Sequence, residues 1–288
     1  MLPGQYGDFG CLERTLRVDG GGLEDSCYPN PRNKESPIWT ESVPIYEPSL
    51  TAAELEKLRQ LDTCSASNAI ERLGVRMRNE GFVRGTVRCQ FPQMAPMVGY
   101  AATAVIRSSN APMSGRCYYD RMDWWQYLAT VPEPRVMVFQ DVDPSPGLGA
   151  FVGEIHASIA LALHCIGCVT NGSVRDIDRV QKLGFHLFAG SVSVSHAYAH
   201  IVEFGEPVEI GGLKIRPGDL IHGDRQGVLT IPISVAATVP DMAARIGETE
   251  KHLIEFCRSD AFSLPALAKM IEITATDSEL QTGGTKSL

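Results

Sequence analysis

The sequence predicts an α/β protein: one domain built on a mixed sheet, with an extended arm in front of it. Three observations carry this prediction. Strand-like apolar runs alternate with helical patterns between residues 136 and 188, the signature of parallel strands joined by right-handed crossovers. A glycine-turned hairpin pattern follows at 208–215 and adds antiparallel strands. Residues 1–46 show neither a period of 2 nor of 3.6 and carry Gly20-Gly21-Gly22, Pro29, Pro31, Pro37 and Pro44. We expect an arm over 1–46, serving as a surface wrap or subunit contact, and a domain over 47–288 that ends in helices. There is no internal repeat.

The elements follow in order. Ser49-Leu50-Thr51 caps a helix through Leu55, Leu58 and Leu61. Asp62-Thr63-Cys64-Ser65 interrupts it, and a second helix carries Ala69, Ile70 and Leu73 up to Gly74. A strand with small residues runs over 97–106, and a helix with Trp124 and Trp125 over 122–128. A strand at 136–139 leads through a loop with Gly147, Gly149 and Gly153 into a helix over 154–164. The strand at 166–170 is expected to turn at Asn171-Gly172 before a helix that starts near Arg175-Asp176 and ends at Gly184. A third strand covers 186–188. Gly211-Gly212, Pro217-Gly218-Asp219 and Asp224-Arg225-Gln226-Gly227 punctuate an antiparallel meander, and helices over 235–257 and 264–273 close the chain.

Composition limits the function. The 288 residues hold 26 Lys+Arg against 34 Asp+Glu, a net charge of −8, with 44% apolar and 21% charged residues. That is a globular composition with ample core. An acidic surface argues against binding nucleic acid through phosphates, though one Arg or a metal ion suffices for a small anion. The longest apolar-leaning stretch, 155–169, contains His156, Ser158 and His164, whereas a membrane span needs ~20 nearly uninterrupted apolar residues. Residues 1–5 show no basic or apolar leader pattern, and 8 cysteines are too sparse for a disulfide scaffold. The expected location is the cytoplasm.

The chemistry-bearing residues concentrate at two strand–helix junctions. Glu154 enters one helix and Arg175-Asp176 the next, so all three stand at carboxyl ends of parallel strands, where open α/β sheets place ligands. Two carboxylates and a guanidinium suit Mg²⁺ or Mn²⁺ together with an organic anion. Backbone N–H groups after Gly153, around Ile155 and His156, suit a substrate carboxylate. A bland account competes on spacing alone: an acidic first turn complements the helix dipole, and adjacent Arg and Asp are often a surface pair. Cys165 and Cys168 run from a helix end into a strand and are expected to pack in the core. His196 and His200 are either ligands one helical turn apart or, with Tyr198, a loop lining a pocket, or structural. Asp219 and Asp224 are explained by turn chemistry. No G-x-S-x-G elbow, P-loop or dinucleotide fingerprint is present.

The segment from Gly153-Glu154 to Asp176 resembles the RraA-like family, which includes the 4-hydroxy-4-methyl-2-oxoglutarate aldolases. Its hallmark is an acidic residue, 20 intervening residues, then Arg-Asp, as in Glu154 … Arg175-Asp176. Gly167-Cys168-Val169-Thr170-Asn171-Gly172, Gly211-Gly212, Pro217-Gly218-Asp219 and Asp224-Arg225-Gln226-Gly227 extend the resemblance over about 50–235. It implies a swivelling β/β/α-type fold, assembled as trimers or hexamers. It implies cleavage of 4-hydroxy-2-oxo acids to pyruvate through an enolate, with oxaloacetate decarboxylation as a related activity. Asp176 matches the metal-binding Asp, Glu154 the residue that orders the metal's water, and Arg175 the substrate-binding Arg. Two other readings accompany the resemblance: a non-catalytic regulator that binds a ribonuclease, and another enol-forming reaction such as isomerisation or hydration. Arg179 and Asn68 depart from residues common in the family, and Glu248, Glu250 or Glu255 is a candidate to complete a neighbouring subunit's site. His196, Tyr198 and His200 are candidates for the substrate's distal end.

Overall fold

The computed structural model describes residues 50–112 and 121–281, all within the unit Pro44–Leu288. The arm expected at 1–46, and Ser49, lie outside them.

Capping chemistry sets the first helices. Thr51 and Glu54 form a reciprocal capping box for α1 (Ala52–Arg59). Asp62 caps α2 (Thr63–Leu73), and Gly74, at φ 65°, ends it in the left-handed conformation that glycine adopts without strain. The sheet strands are β1 (Arg88–Cys89), β2 (Met97–Arg107), β3 (Arg135–Asp141), β4 (Ala150–Val152), β5 (Cys165–Val174), β6 (His186–Val192), β7 (His200–Phe204), β10 (Leu220–Asp224) and β11 (Gly227–Ile231). Their order is β1-β6-β5-β3-β2-β10-β11, with β4 beside β5 and β7 beside β2. The run β6-β5-β3-β2 is parallel, as the alternating pattern predicts. Residues 81–89 then join the two edges. The Val83 N–H donates to Val228 O at 2.8 Å, and Arg88 pairs with Ala189 of β6. One segment therefore touches both edge strands, and the mixed sheet nearly closes into a barrel.

Period-2 alternation sorts the side chains into two cores. Tyr100, Ala102 and Ala104 of β2, with Met137 and Phe139 of β3, face the helices α3 (Met122–Leu128), α4 (Glu154–Ala162) and α5 (Ile177–Lys182). Met97 and Ala101, with Val136 and Val138, face the other way, against the hairpin β8 (Val208–Ile210) and β9 (Leu213–Ile215). Each fully buried Phe or Leu contributes about 1.5–3 kcal/mol. At the base of the helical layer the buried Arg135 guanidinium donates to the carbonyls of Ala129, Val131 and Leu163, satisfying the ends of α3 and α4.

Four expectations change. Asn171-Gly172 does not turn the chain: β5 runs on to Val174, with its register on β6 shifting between Thr170 and Ser173. The Asn171 amide reaches across to β3, accepting from the Asp141 N–H at 2.7 Å and donating to Asp141 O at 2.9 Å, so a bulge replaces the turn. β4 and β7 are strands that the pattern did not predict. The meander is interrupted, because β8–β9 is a separate two-stranded sheet while β10–β11 joins β2. The helix expected from 235 is split into α6 (Ile233–Ala236) and α7 (Val239–Cys257), with Pro240 in the first turn of α7. α8 (Leu264–Gln281) closes the described chain. Among the described residues no helix is long and apolar enough to cross a membrane.

Candidate active site

Parallel pairing brings the two junctions together. β4 and β5 run side by side, with Ala150 opposite Ser173 and Val152 opposite Val174. The residues immediately beyond them, Gly153-Glu154 and Arg175-Asp176, are therefore neighbours despite the 20 residues between Glu154 and Arg175. The Arg175 N–H donates to Val152 O at 2.9 Å and locks the junction.

Asp176 is the centre. It begins α5 in the left-handed conformation, φ 56° and ψ 36°, and its side chain does not cap its own helix. It turns instead to α4, where Oδ2 accepts the Glu154 N–H at 3.1 Å. Arg175 Nε donates to Asp176 Oδ1 at 3.4 Å, and Arg179 Nη1 donates to Glu154 Oε2 at 3.0 Å. Burial pushes the Asp176 carboxyl up, but the Glu154 N–H, Arg175 and Arg179 outweigh it and hold it below the usual carboxylate range. The group is thus anionic at neutral pH. Its side chain is 27% exposed and that of Arg175 31%, so solvent reaches both. Gly153 makes the approach possible: a Cβ there would lie 2.6 Å from Asp176 Oδ2 and 2.9 Å from Arg175 Cγ.

The other candidates sort by burial. Ile155 is exposed, whereas the His156 imidazole is buried, 4.9 Å from the Trp125 ring and 4.7 Å from that of Phe151. Burial depresses its pKa to about 3, so the ring is neutral and the part expected of His156 rests on its backbone N–H. His196 and Tyr198 lie in the loop between β6 and β7. This loop runs along β4, with the Ala150 N–H donating to Ser195 O at 2.8 Å and the Ala150 carbonyl 2.8 Å from His196 Nδ1. Tyr198 is exposed, and His200 opens β7 with Nδ1 2.7 Å from Tyr198 O. A strand start and a loop rule out the helical-turn arrangement of His196 and His200. Cys165 and Cys168 are buried in the helix-side core, where burial pushes the Cys165 thiol up to about 12 and the Cys168 thiol well above its ordinary value, so both stay protonated. Asp224 accepts the Gln226 N–H and Asp219 that of Arg216, as turn chemistry predicts, but Asp224 also accepts the Thr63 N–H at the start of α2, a long-range bond that turn chemistry does not explain.

The spacing argument missed two features. One is the Arg179–Glu154 pair. The other is the buried pair Asp141 and Asp143 after β3. Asp143 accepts both the N–H and the hydroxyl of Ser108 and of Ser109, while Asp141 takes the Asp143 and Gly147 N–H groups. Together they fix the loop that leads into β4. An Asp-x-Asp at a strand end was the available signal.

Among the described residues no group of three or more His, Cys, Asp and Glu is gathered to hold a metal ion. Mg²⁺, however, is commonly held by one or two carboxylates plus water and substrate oxygens. The ionised, solvent-reached Asp176 with Glu154 beside it fits that donor set.

The geometry defines a class: α/β proteins with an acidic–Arg-Asp site at the carboxyl ends of adjacent parallel strands. Residues 63–230 match the RraA-like family model, described as Aldolase/RraA, and the chain belongs to that family. It is 23% identical over 246 residues to "Protein DlpA" of Legionella pneumophila, covering 84% of this chain and 36% of that protein. It is 37% identical over 84 residues to a Halalkalibacterium halodurans protein named "Putative 4-hydroxy-4-methyl-2-oxoglutarate aldolase", covering 29% of this chain and 40% of the relative. The chain thus spans well under half the length of these two relatives. An uncharacterized protein from Pseudomonas syringae has a crystal structure with TM-score 0.60 and 27% identity, covering 79% of this chain and 98% of that one.

Proposed function

We propose that residues 47–288 form a divalent-metal-dependent carbon–carbon lyase that releases pyruvate from a 4-hydroxy-2-oxo acid, with oxaloacetate decarboxylation as a second activity of the same site. The observation that carries this reading is the convergence of Arg175 and Asp176 on the Gly153-Glu154 junction. Mg²⁺ or Mn²⁺ at Asp176 and Glu154 supplies Lewis-acid stabilisation of the developing oxyanion when bound.

The chain's own groups do the rest. Arg175 pairs with the substrate carboxylate and 2-oxo group, and its fixed charge favours the enolate over the ground state. The backbone N–H groups of Ile155 and His156, at the N-terminus of α4, receive the carboxylate. Glu154 accepts the 4-hydroxyl proton through water. The C3–C4 bond breaks, its electron pair becomes the pyruvate enolate, and the proton returns to C3. His196, Tyr198 and His200 border the distal end of the substrate. The same proposal extends the family's trimeric or hexameric assembly, and a cytoplasmic location, to this chain.

The test is pyruvate release from 4-hydroxy-4-methyl-2-oxoglutarate and from oxaloacetate, with and without Mg²⁺ or Mn²⁺. Arg175→Ala should lower kcat/KM by about 10²–10³-fold, as expected for loss of one oxyanion-stabilising donor, with an unchanged circular dichroism spectrum. Absence of metal-stimulated turnover across both substrates refutes the lyase reading. Capture of a ribonuclease by the metal-free protein, without turnover, would favour the regulator.

A further inference from the structure

We propose that Arg179 is a built-in competitor for the site's cation: it occupies Glu154 and lowers the affinity with which a divalent ion is held. This rests on the reading that Asp176 and Glu154 form the cation site.

Arg179 lies three residues after Asp176 on α5, so its side chain shares a helix face with the residue at the α5 N-terminus. Its guanidinium donates to Glu154 Oε2 at 3.0 Å across the gap between α5 and α4. The pair is open to solvent, with Arg179 70% and Glu154 41% exposed. No buried framework holds it, and it can exchange.

Two effects then oppose a cation. A divalent ion that draws on Glu154, directly or through water, either displaces the Arg179 hydrogen bond at Oε2 or uses Oε1 beside a fixed positive charge. Arg179 also lies close enough to Asp176 for its charge to act on that carboxyl, so it repels a dication at the same place. An exposed ion pair of this kind is weak and is worth only roughly 1.5- to 5-fold in affinity. The repulsive part acts between solvent-exposed charges and is screened by salt.

The consequence is a site whose cation occupancy depends on ionic strength. At low salt Arg179 holds Glu154 firmly and repels the ion most strongly. As salt rises, both effects weaken.

The experiment measures Mn²⁺ binding directly, by electron paramagnetic resonance of free Mn²⁺ in titrations of the full chain without substrate. Wild type, Arg179→Ala, Arg179→Lys and Asp176→Asn are compared at low and at high salt. Arg179→Ala should bind Mn²⁺ about 2- to 5-fold more tightly at low salt, with a smaller advantage at high salt. Arg179→Lys keeps the charge and should fall between it and wild type. Because Arg179 is exposed, these variants should keep the wild-type Tm. Equal or weaker binding by Arg179→Ala, while Asp176→Asn abolishes binding, overturns the role of Arg179 and leaves the cation site standing. Failure of wild type to bind Mn²⁺, or wild-type affinity in Asp176→Asn, overturns both.

Discussion

Gly153→Ala isolates the packing on which the site depends. The backbone at Gly153 is extended, φ −141° and ψ −162°, so alanine meets no conformational penalty there and only its methyl group matters. That carbon would sit 2.6 Å from Asp176 Oδ2, about 0.8 Å inside the 3.4 Å at which ordinary contact begins, and 2.9 Å from Arg175 Cγ. Neither neighbour is a loose side-chain end. Asp176 Oδ2 is tied to the Glu154 N–H, and the Arg175 backbone is tied to Val152. Overpacking of this kind costs about 1–3 kcal/mol. For a domain of this size each kcal/mol lowers Tm by about 2–4 °C, so calorimetry should show a fall of about 2–12 °C. Activity should suffer more. A displacement approaching 1 Å at reacting groups costs on the order of 10²-fold, read as pyruvate release well below the Tm of both proteins. A variant with wild-type Tm and wild-type turnover refutes the claim that Gly153, Arg175 and Asp176 are held in contact. A lowered Tm with full turnover would leave the contact structural and detach it from the chemistry.

Two further predictions concern groups outside the site. The buried His156 stays neutral down to about pH 3, whereas an unfolded histidine takes up a proton near 6.5. The unfolded state therefore binds more protons between those values, and stability should fall as pH drops through that window, by up to roughly 4–5 kcal/mol. Urea unfolding at pH 7, 5 and 4 should show the slope in wild type and a shallower one in His156→Leu; parallel slopes would sink the idea. Arg135→Met leaves the buried Val131 carbonyl and the part-buried carbonyls of Ala129 and Leu163 without their donor. It should cost about 3–5 kcal/mol by chemical denaturation, and a loss below about 1 kcal/mol would show that water replaces the guanidinium.

What the sequence disclosed, and what it hid, follows from the range of each interaction. The stop at Gly74 is local, and α2 ends where it places it; the helix starts earlier than expected, because Asp62 caps it and Thr63-Cys64-Ser65 form its first turn rather than an interruption. The meeting of Glu154 with Arg175-Asp176 is not local. It was legible in part: successive strand–helix units in a parallel sheet bring their strand ends together when the strands are neighbours, but the strand that sets Glu154 beside Arg175-Asp176 is β4, which the pattern did not predict. Asn171-Gly172 misled because this dipeptide is a strong turn signal. Here the Asn171 amide finds its partners on β3, across the sheet, and a cross-strand bond of that kind leaves no trace in local pattern. β7 was hidden for a similar reason. Its pairing with β2 shifts register between Val105 and Ile106, so its residues do not alternate cleanly. Arg179 was noticed as a departure in charge. Its partner was not predictable, since that depends on how α5 lies against α4.

The bland account of the acidic–Arg-Asp pattern makes its own structural demands. If Glu154 merely complemented a helix dipole and Arg175–Asp176 were a surface pair, Asp176 would be expected in relaxed backbone, capping α5, as Asp at a helix start commonly does. Instead Asp176 sits at φ 56°, a conformation that costs a non-glycine residue of order 1–3 kcal/mol. Its carboxylate is withdrawn from its own helix and given to the N–H of another. The backbone is held in this state by the Arg179 and Val180 N–H groups, which both donate to Asp176 O at 2.9 Å, and by the lack of a side chain at Gly153. The local rule is broken at Asp176, and the result is an ionised carboxylate exposed between two helix starts, with a guanidinium on each side. Positive φ outside glycine recurs at His164 and Ala197, so strain alone marks no site; what speaks against an incidental surface pair is that the Asp176 carboxylate is given to the N–H of another helix.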